Sequence, residues 1–323
     1  MGTGGQETQR RADRLSSTAG PVGVGGRLRW ERGQIRRGRE RLARIRVRTP
    51  AARAILFAPP LVGGGGVHQV RTFRPLVAAG YDLFSFCYSG HGRSSGRFSL
   101  GASLADAEAA LREAAETARR ERLPLQGVAA CYGAIPLLHA SARLGEPMGR
   151  IAIINAILDL APGAVARSFF RYYDEVRRAD DRLPRLGEAV RRYVDFLFPG
   201  VVKSRHGFGA LRRRRTRLIT TLRDAFAPSP LAGVRLEETP ALCLYSREDR
   251  VLRLYGDGAG PAYEGAVRQV LPRTRFHRLP GDHFLSGTAA RAAARSLLLD
   301  FLAVPVSPPG AGAASPPLGD PRQ

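Results

Sequence analysis

Lysine is almost missing from this 323-residue chain: Lys203 is the only one, so arginine supplies nearly all of its 51 basic residues. A net charge of +23 would ordinarily suggest nucleic acid or an anionic surface. Here the arginines are spread through helices, strands and tails, and they rise together with Ala, Gly and Pro, as a coding bias would produce. Aromatics are sparse at 7%, and no recognition motif for nucleic acid is present, so no specific nucleic-acid partner is expected. Cysteine is scarce too. Cys87, Cys131 and Cys243 are scattered, odd in number and without a CxxC pair, which argues against a disulfide framework or a zinc site. His68, His139, His206 and His277 form no ligand cluster, and Gly63 to Gly66 is not followed by Gly-Lys-Ser/Thr. Neither metal nor cofactor is expected. No apolar run is long enough to span a bilayer. The N-terminal arginines precede no apolar core, and Gln6 stands where myristoylation needs Ser or Thr. A cytoplasmic enzyme is the expectation.

What is present is an alternation of strand and helix patterns between two tails, 1–26 and 304–323, whose Gly, Arg and Pro bias predicts disorder. Strands are expected at 27–32 and 42–47 as an opening hairpin, then at 54–58, 81–88, 125–130, 151–156, 241–246 and 275–279. Helices are expected at 69–79, 104–120, 132–144, 261–271 and 284–302. This rhythm predicts an α/β protein, a mostly parallel sheet covered by helices on both faces. Residues 160–235 break the rhythm with aromatic and basic stretches, among them Phe169 to Tyr173 and Arg212 to Arg215, and no strand pattern. They read as a helical insertion between two parts of a core, 27–159 and 236–303. Ligands of open α/β sheets bind at the C-terminal strand edge, so the insertion is expected to act as a lid; a purely structural subdomain is the alternative.

The chemistry concentrates at Ala129-Ala130-Cys131-Tyr132-Gly133. A strand stops there at a nucleophilic side chain flanked by small residues, and a helix follows at once. Such a corner lifts one side chain into a cleft, and the helix N-terminus behind it favours a thiolate. Asp249 and His283 follow, each beside a strand end. An inert core thiol is the alternative for Cys131, a helix cap for His283, and a small core residue is the reading of Cys87 and Cys243. Glu248 and Asp159 compete with Asp249 for the role of acid.

From about Arg27 to Leu302 the chain resembles the α/β-hydrolases. Ser89-Gly90-His91-Gly92-Arg93-Ser94 is similar to their Gly-His-Gly-x-Ser turn, Ala-x-Cys-x-Gly at 129–133 to the nucleophile elbow, and Gly281-Asp282-His283-Phe284 to the loop of the catalytic histidine. Cys replaces the usual Ser, Ala129 the first Gly, and Pro59-Pro60 stands where His-Gly is frequent. The resemblance implies a triad of Cys131, His283 and Asp249. It implies an oxyanion hole from the backbone N–H of Tyr132 and of Leu61 or Val62, because neither proline can donate. It places His91, as a turn residue under the site, together with Phe169 and Tyr173, on the substrate side. Dienelactone hydrolases and polyhydroxyalkanoate synthases also carry a Cys elbow, but their larger motifs are absent here. The elbow, Ile153-Ile154-Asn155 and the Phe169 to Tyr173 stretch also resemble exosortase-associated hydrolases. The stretch from Ala79 to Gly96 resembles acyl thioesterases of bacterial bioluminescence.

These likenesses imply a hydrolase cleaving a small acyl ester or thioester, with an anionic acyl carrier as a candidate partner. An acyltransferase using a small acceptor is a second reading. A non-catalytic scaffold binding a ligand or an anionic partner is a third.

Overall fold

A computed structural model describes residues 28–145, 148–158, 162–179, 188–190, 192–193, 220, 223–224, 227–255 and 259–303. Both tails, Asp159, Arg212 to Arg215 and much of the insertion lie outside them.

Eight strands form one sheet: β1 (Arg29–Arg37), β2 (Glu40–Arg48), β3 (Ile55–Phe57), β4 (Asp82–Phe86), β5 (Leu125–Ala130), β6 (Ile151–Ile154), β7 (Ala241–Ser246) and β8 (Thr274–Leu279). Their order is β1-β2-β4-β3-β5-β6-β7-β8. The opening hairpin and its junction with β4 are antiparallel; every later pairing is parallel. The helices are α1 (Gly66–Thr72), α2 (Arg74–Ala78), α3 (Leu100–Glu121), α4 (Ala134–Leu144), α5 (Pro162–Ala179), α6 (Ala259–Val270) and α7 (Thr288–Ala303).

The period of two along each strand builds two core layers. Ile55 and Phe57, Ile151 and Ile153, and Ala241, Cys243 and Tyr245 face a layer closed by α3, α4 and α6. Leu56, Ala152, Ile154, Leu242 and Leu244 face the opposite layer, closed by α1, α2 and α7. Each large aliphatic or aromatic side chain buried this way contributes roughly 1.5–3 kcal/mol. Gly127 in β5 has no side chain because α4 needs the space: a Cβ there would lie 2.7 Å from Met148 Sδ and 3.1 Å from a Leu137 methyl.

Two expected helices differ from what forms. The helix at 69–79 is two helices meeting at Phe73, since Pro75 in the first turn of α2 has no N–H to continue α1. The closing helix begins at Thr288 instead of Phe284. Ahead of it the Asp282 carboxylate accepts the N–H groups of Phe284 (3.2 Å) and Ser286 (2.9 Å), and Leu285 takes φ +51, which together hold the segment as a loop.

One charge cluster is sealed between the hairpin and α3. Arg46 is 2% exposed, and its guanidinium meets Asp82 at 2.5 Å and Glu121 at 2.6 Å. In the insertion, α5 packs against a 3₁₀ segment, Arg250–Tyr255, that follows β7. The Asp224 carboxylate accepts the Gly101 N–H at 2.8 Å in the first turn of α3. No residue of 160–235 is in a strand among the described residues.

Candidate active site

Strands β5, β6, β7 and β8 are parallel neighbours, so the residues that follow them emerge at one edge of the sheet. Cys131 comes directly after β5, Asp249 three residues after β7, and His283 four residues after β8. Cys131 has φ +51, a left-handed backbone that costs a non-glycine residue of order 1–3 kcal/mol. The surroundings impose it. Ala130 is still extended, and α4 starts three residues later with the Ala134 N–H on the Cys131 carbonyl. The same carbonyl accepts the Ile157 N–H at 3.1 Å. Gly133 presses the turn against the loop after β3: a Cβ there would stand 2.7 Å from the Pro59 carbonyl oxygen. The thiol is half-buried, whereas Cys243 is fully buried among core side chains. Cys87 is not the buried core residue its strand pattern suggests; it is half-buried beyond the end of β4, and burial raises its pKa.

The His283 imidazole donates from Nδ1 to Asp249 Oδ2 at 2.9 Å, with both side chains buried. Asp249 is itself held, because its Oδ1 accepts the Val251 N–H at 2.9 Å. Its neighbour Glu248 points to solvent, so the carboxylate at the imidazole is that of Asp249. Burial works against an imidazolium at His283. The electrostatic influence of Cys131, the hydrogen bonds to Asp249 and Cys131, and the charge of Asp249 outweigh it, and the pKa is pushed up to about 10. The carboxylate thus holds the imidazole by a hydrogen bond, and Cys131 is the leading influence that raises its pKa.

The loop after β3 runs through Pro59 and Pro60, which have no N–H. Tyr88 Oη donates to the Pro60 carbonyl at 2.9 Å. Gly64 N–H is engaged by the Leu61 carbonyl and Gly63 N–H by His91 Nε2, both at 3.0 Å. Among the described residues, no hydrogen bond of this loop uses the N–H of Leu61 or Val62. Tyr132 is buried, its hydroxyl 2.6 Å from that of Ser103, which secures the residue after Cys131.

His91 packs as a turn residue under the loop after β3, but its ring nitrogens are taken up by backbone and not turned to a substrate. Nε2 accepts from Gly63, and Nδ1 lies 3.2 Å from the Ser89 carbonyl, which fixes the proton on Nδ1. The ring packs edge-on against Tyr88 and Phe98, and burial lowers its pKa. Both nitrogens hold backbone, so the ring braces the loop of Leu61 and Val62 and has no polar atom left for a ligand.

Phe169 and Tyr173 stack on one face of α5, and Phe169 meets Tyr193 edge-on at 5.3 Å. Phe169, Tyr172 and Cys131 all border the same core layer as partly buried side chains. Phe170 is exposed, as is Phe284, whose ring stands edge-on to His283 at 5.1 Å. His139 bridges Glu108 and the Pro230 carbonyl, a structural role. Among the described residues no group of three or more His, Cys, Asp or Glu could hold a metal ion, and no helix is long and apolar enough to cross a membrane. Sequence reasoning assigned no role to Asn155, which is buried at the end of β6 with φ +43. The signal was a polar residue ending a run of buried apolar ones.

No protein-family model matches the chain, and no curated sequence does. Solved structures do. The 2-hydroxy-6-oxo-6-phenylhexa-2,4-dienoate hydrolase of Rhodococcus sp. strain RHA1 superposes with a TM-score of 0.58 at 16% identity, covering 86% of this chain and 100% of its own. An esterase of Pyrococcus furiosus gives 0.58 at 13% identity, with 89% and 94% covered. A thioesterase domain from the curacin biosynthetic pathway gives 0.52 at 16% identity, with 84% and 99% covered. With these neighbours, and with its mostly parallel eight-stranded sheet, this chain has the α/β-hydrolase fold.

Proposed function

We propose that this protein hydrolyses a small acyl ester or thioester through an acyl group carried on Cys131. The observation that carries the reading is the buried His283–Asp249 pair, 2.9 Å apart, at the sheet edge where Cys131 ends β5 at φ +51. An esterase and a thioesterase domain among the fold's solved examples are consistent with that substrate class.

In the first half-reaction the Cys131 sulfur attacks the carbonyl carbon while His283 holds the thiol proton on Nε2. The carbonyl π pair moves to oxygen. The N–H groups of Tyr132 and of Leu61 or Val62 receive the oxyanion, in a loop braced by His91. Collapse breaks the bond to the leaving oxygen or sulfur, which takes the proton from His283. In the second, His283 removes a proton from water, hydroxide attacks the thioester, and the sulfur leaves as thiolate beside the re-formed imidazolium. Asp249 keeps Nδ1 protonated and stabilises the cation throughout. The aromatic face of α5 acts as the lid that meets the acyl chain. A chain of net charge +23 attracts an anionic acyl carrier; kcat/KM for a carrier-bound thioester should then fall with salt, while that for a neutral ester stays level.

The test is intact-mass detection of an acyl adduct on Cys131 with short p-nitrophenyl esters and acyl thioesters. Wild type should show the adduct and multiple turnover, and Cys131→Ala neither, at unchanged melting temperature. In Cys131→Ala the imidazole of His283 should also titrate lower, since the sulfur is its largest raising influence. Turnover that survives Cys131→Ala would remove the reading. Acyl product appearing on added alcohols or amines in place of free acid would redirect it to acyl transfer.

A further inference from the structure

The side chain of Asn155 crosses the end of β7 to reach the loop that carries His283. Its Oδ1 accepts the Ser246 N–H at 2.7 Å. Its Nδ2 donates to the His283 carbonyl at 2.7 Å and to Ser246 Oγ at 3.1 Å, and approaches the Asp282 carbonyl at 3.4 Å. The residue is 2% exposed. A backbone N–H on one side and backbone carbonyls on the other leave a single orientation for the amide.

The reason for an amide here lies in the sheet. Strand β6 ends at Ile154, paired with Leu244, while β7 continues to Ser246. Beyond Ile154 the chain turns away, with Asn155 at φ +43, a conformation that asparagine tolerates better than most residues. The Ser246 N–H therefore loses its strand partner, and the Asn155 side chain takes that place. In doing so it links the end of the strand preceding Asp249 to the backbone of His283 itself. The Asn155 N–H donates to the Leu244 carbonyl at 2.8 Å, so backbone and side chain grip β7 from two points.

We infer that Asn155 is a positioning residue, which fixes the backbone of His283 and so keeps its imidazole in line between Asp249 and Cys131. The inference rests on the reading of Cys131 and His283 as the reacting pair. A carboxylate cannot substitute: Asn155→Asp keeps the acceptor for Ser246 but turns an oxygen toward two carbonyl oxygens. Asn155→Gly keeps the left-handed backbone without strain and removes the amide.

The experiment compares wild type, Asn155→Gly and Asn155→Asp by three readouts. In NMR of histidine-labelled protein, the downfield Nδ1 proton of His283 should be sharp in wild type and broadened or shifted in both variants. The rate of Cys131 alkylation by iodoacetamide, read by peptide mass, should fall roughly 10-fold. The kcat for a p-nitrophenyl ester should fall roughly 10- to 100-fold with KM nearly unchanged, as expected when a catalytic group is misaligned by about an ångström. A folded Asn155→Gly or Asn155→Asp with the wild-type His283 resonance and alkylation rate overturns the inference. If one variant does not fold, the other decides. The first two readouts need no acyl substrate. Failure of wild type to turn over any ester, with both still changing in the variants, would therefore count against the proposed reaction and not against Asn155.

Discussion

Two buried charge clusters occupy opposite edges of the same sheet. At one edge Asp82 begins β4, Glu121 ends α3, and Arg46 lies between them. At the other, Cys131, Asp249 and His283 follow the C-terminal ends of β5, β7 and β8. In the first cluster every partner is a permanent ion at neutral pH. Burial opposes the guanidinium, but hydrogen bonds and charge from Glu121 and Asp82 raise its pKa further from any accessible pH. Asp82 has two more donors, the Thr49 N–H at 2.7 Å and its hydroxyl at 3.0 Å. The second cluster instead pairs an imidazole with a carboxylate and sets a thiol at the same sheet edge, on a backbone held at positive φ. On the proposed function, the same burial serves cohesion at the first cluster and chemistry at the second.

Three substitutions sharpen that contrast. The largest effect belongs to Asp249→Asn, which keeps the shape of the site but no longer favours the Nδ1–H form of His283. It should lower kcat by about 10⁴-fold and lower the urea midpoint less than Arg46→Met does, because the imidazole can release its proton when its partner is lost; stopped-flow ester hydrolysis and urea melts measure both. Activity within tenfold of wild type would remove Asp249 from the chemistry.

Arg46→Met should do the reverse. It removes the nearest cation from buried Asp82 and leaves it only the Thr49 donors and Arg48 at 3.9 Å, at a cost of up to about 3–5 kcal/mol in urea unfolding. Turnover per folded molecule should be preserved. Comparable losses in both measurements would mean that the two edges are coupled.

The smallest effect is a pH slope. The hydrogen bond from Arg46 leads the influences that hold the Glu121 pKa below its usual 4.5, outweighing the effect of burial. The unfolded chain then binds the proton first as pH falls. Stability from this group is therefore present above 4.5 and lost as pH drops through the folded value. The imidazolium of His283, with its raised pKa, keeps its proton throughout that range. Between about pH 5 and pH 3 the urea midpoint of wild type should decline more steeply than that of Glu121→Gln. Equal slopes would mean that the Arg46 cluster contributes nothing to acid sensitivity.

Much of this was legible in the residues. Strands β5 and β7 have the expected bounds because each is a short run of buried residues closed by a sharp turn. That a carboxylate after β7 would meet His283 was legible, because each follows a parallel strand and parallel strands end at one edge. Three things were not. Glu248 and Asp249 are adjacent and chemically alike; only the turn after β7 decides which one faces inward. His91 carries the same motif whether it touches a ligand or braces a loop, and the two backbone bonds to its ring appear only once residues 63 and 89 are brought to it. Asn155 depends on β6 ending two residues short of β7, a register no local pattern encodes.

By itself, then, the order of apolar runs, turns and polar strand ends determined the layered α/β architecture and nominated a sulfur, an imidazole and a carboxylate, because periodicity and chain direction are local properties. The folded chain alone decided which atoms face one another: the tautomer of His91, the choice of Asp249 and the grip of Asn155. Hydrogen bonds act over about 3 Å between residues that are 28 to 128 positions apart along the chain.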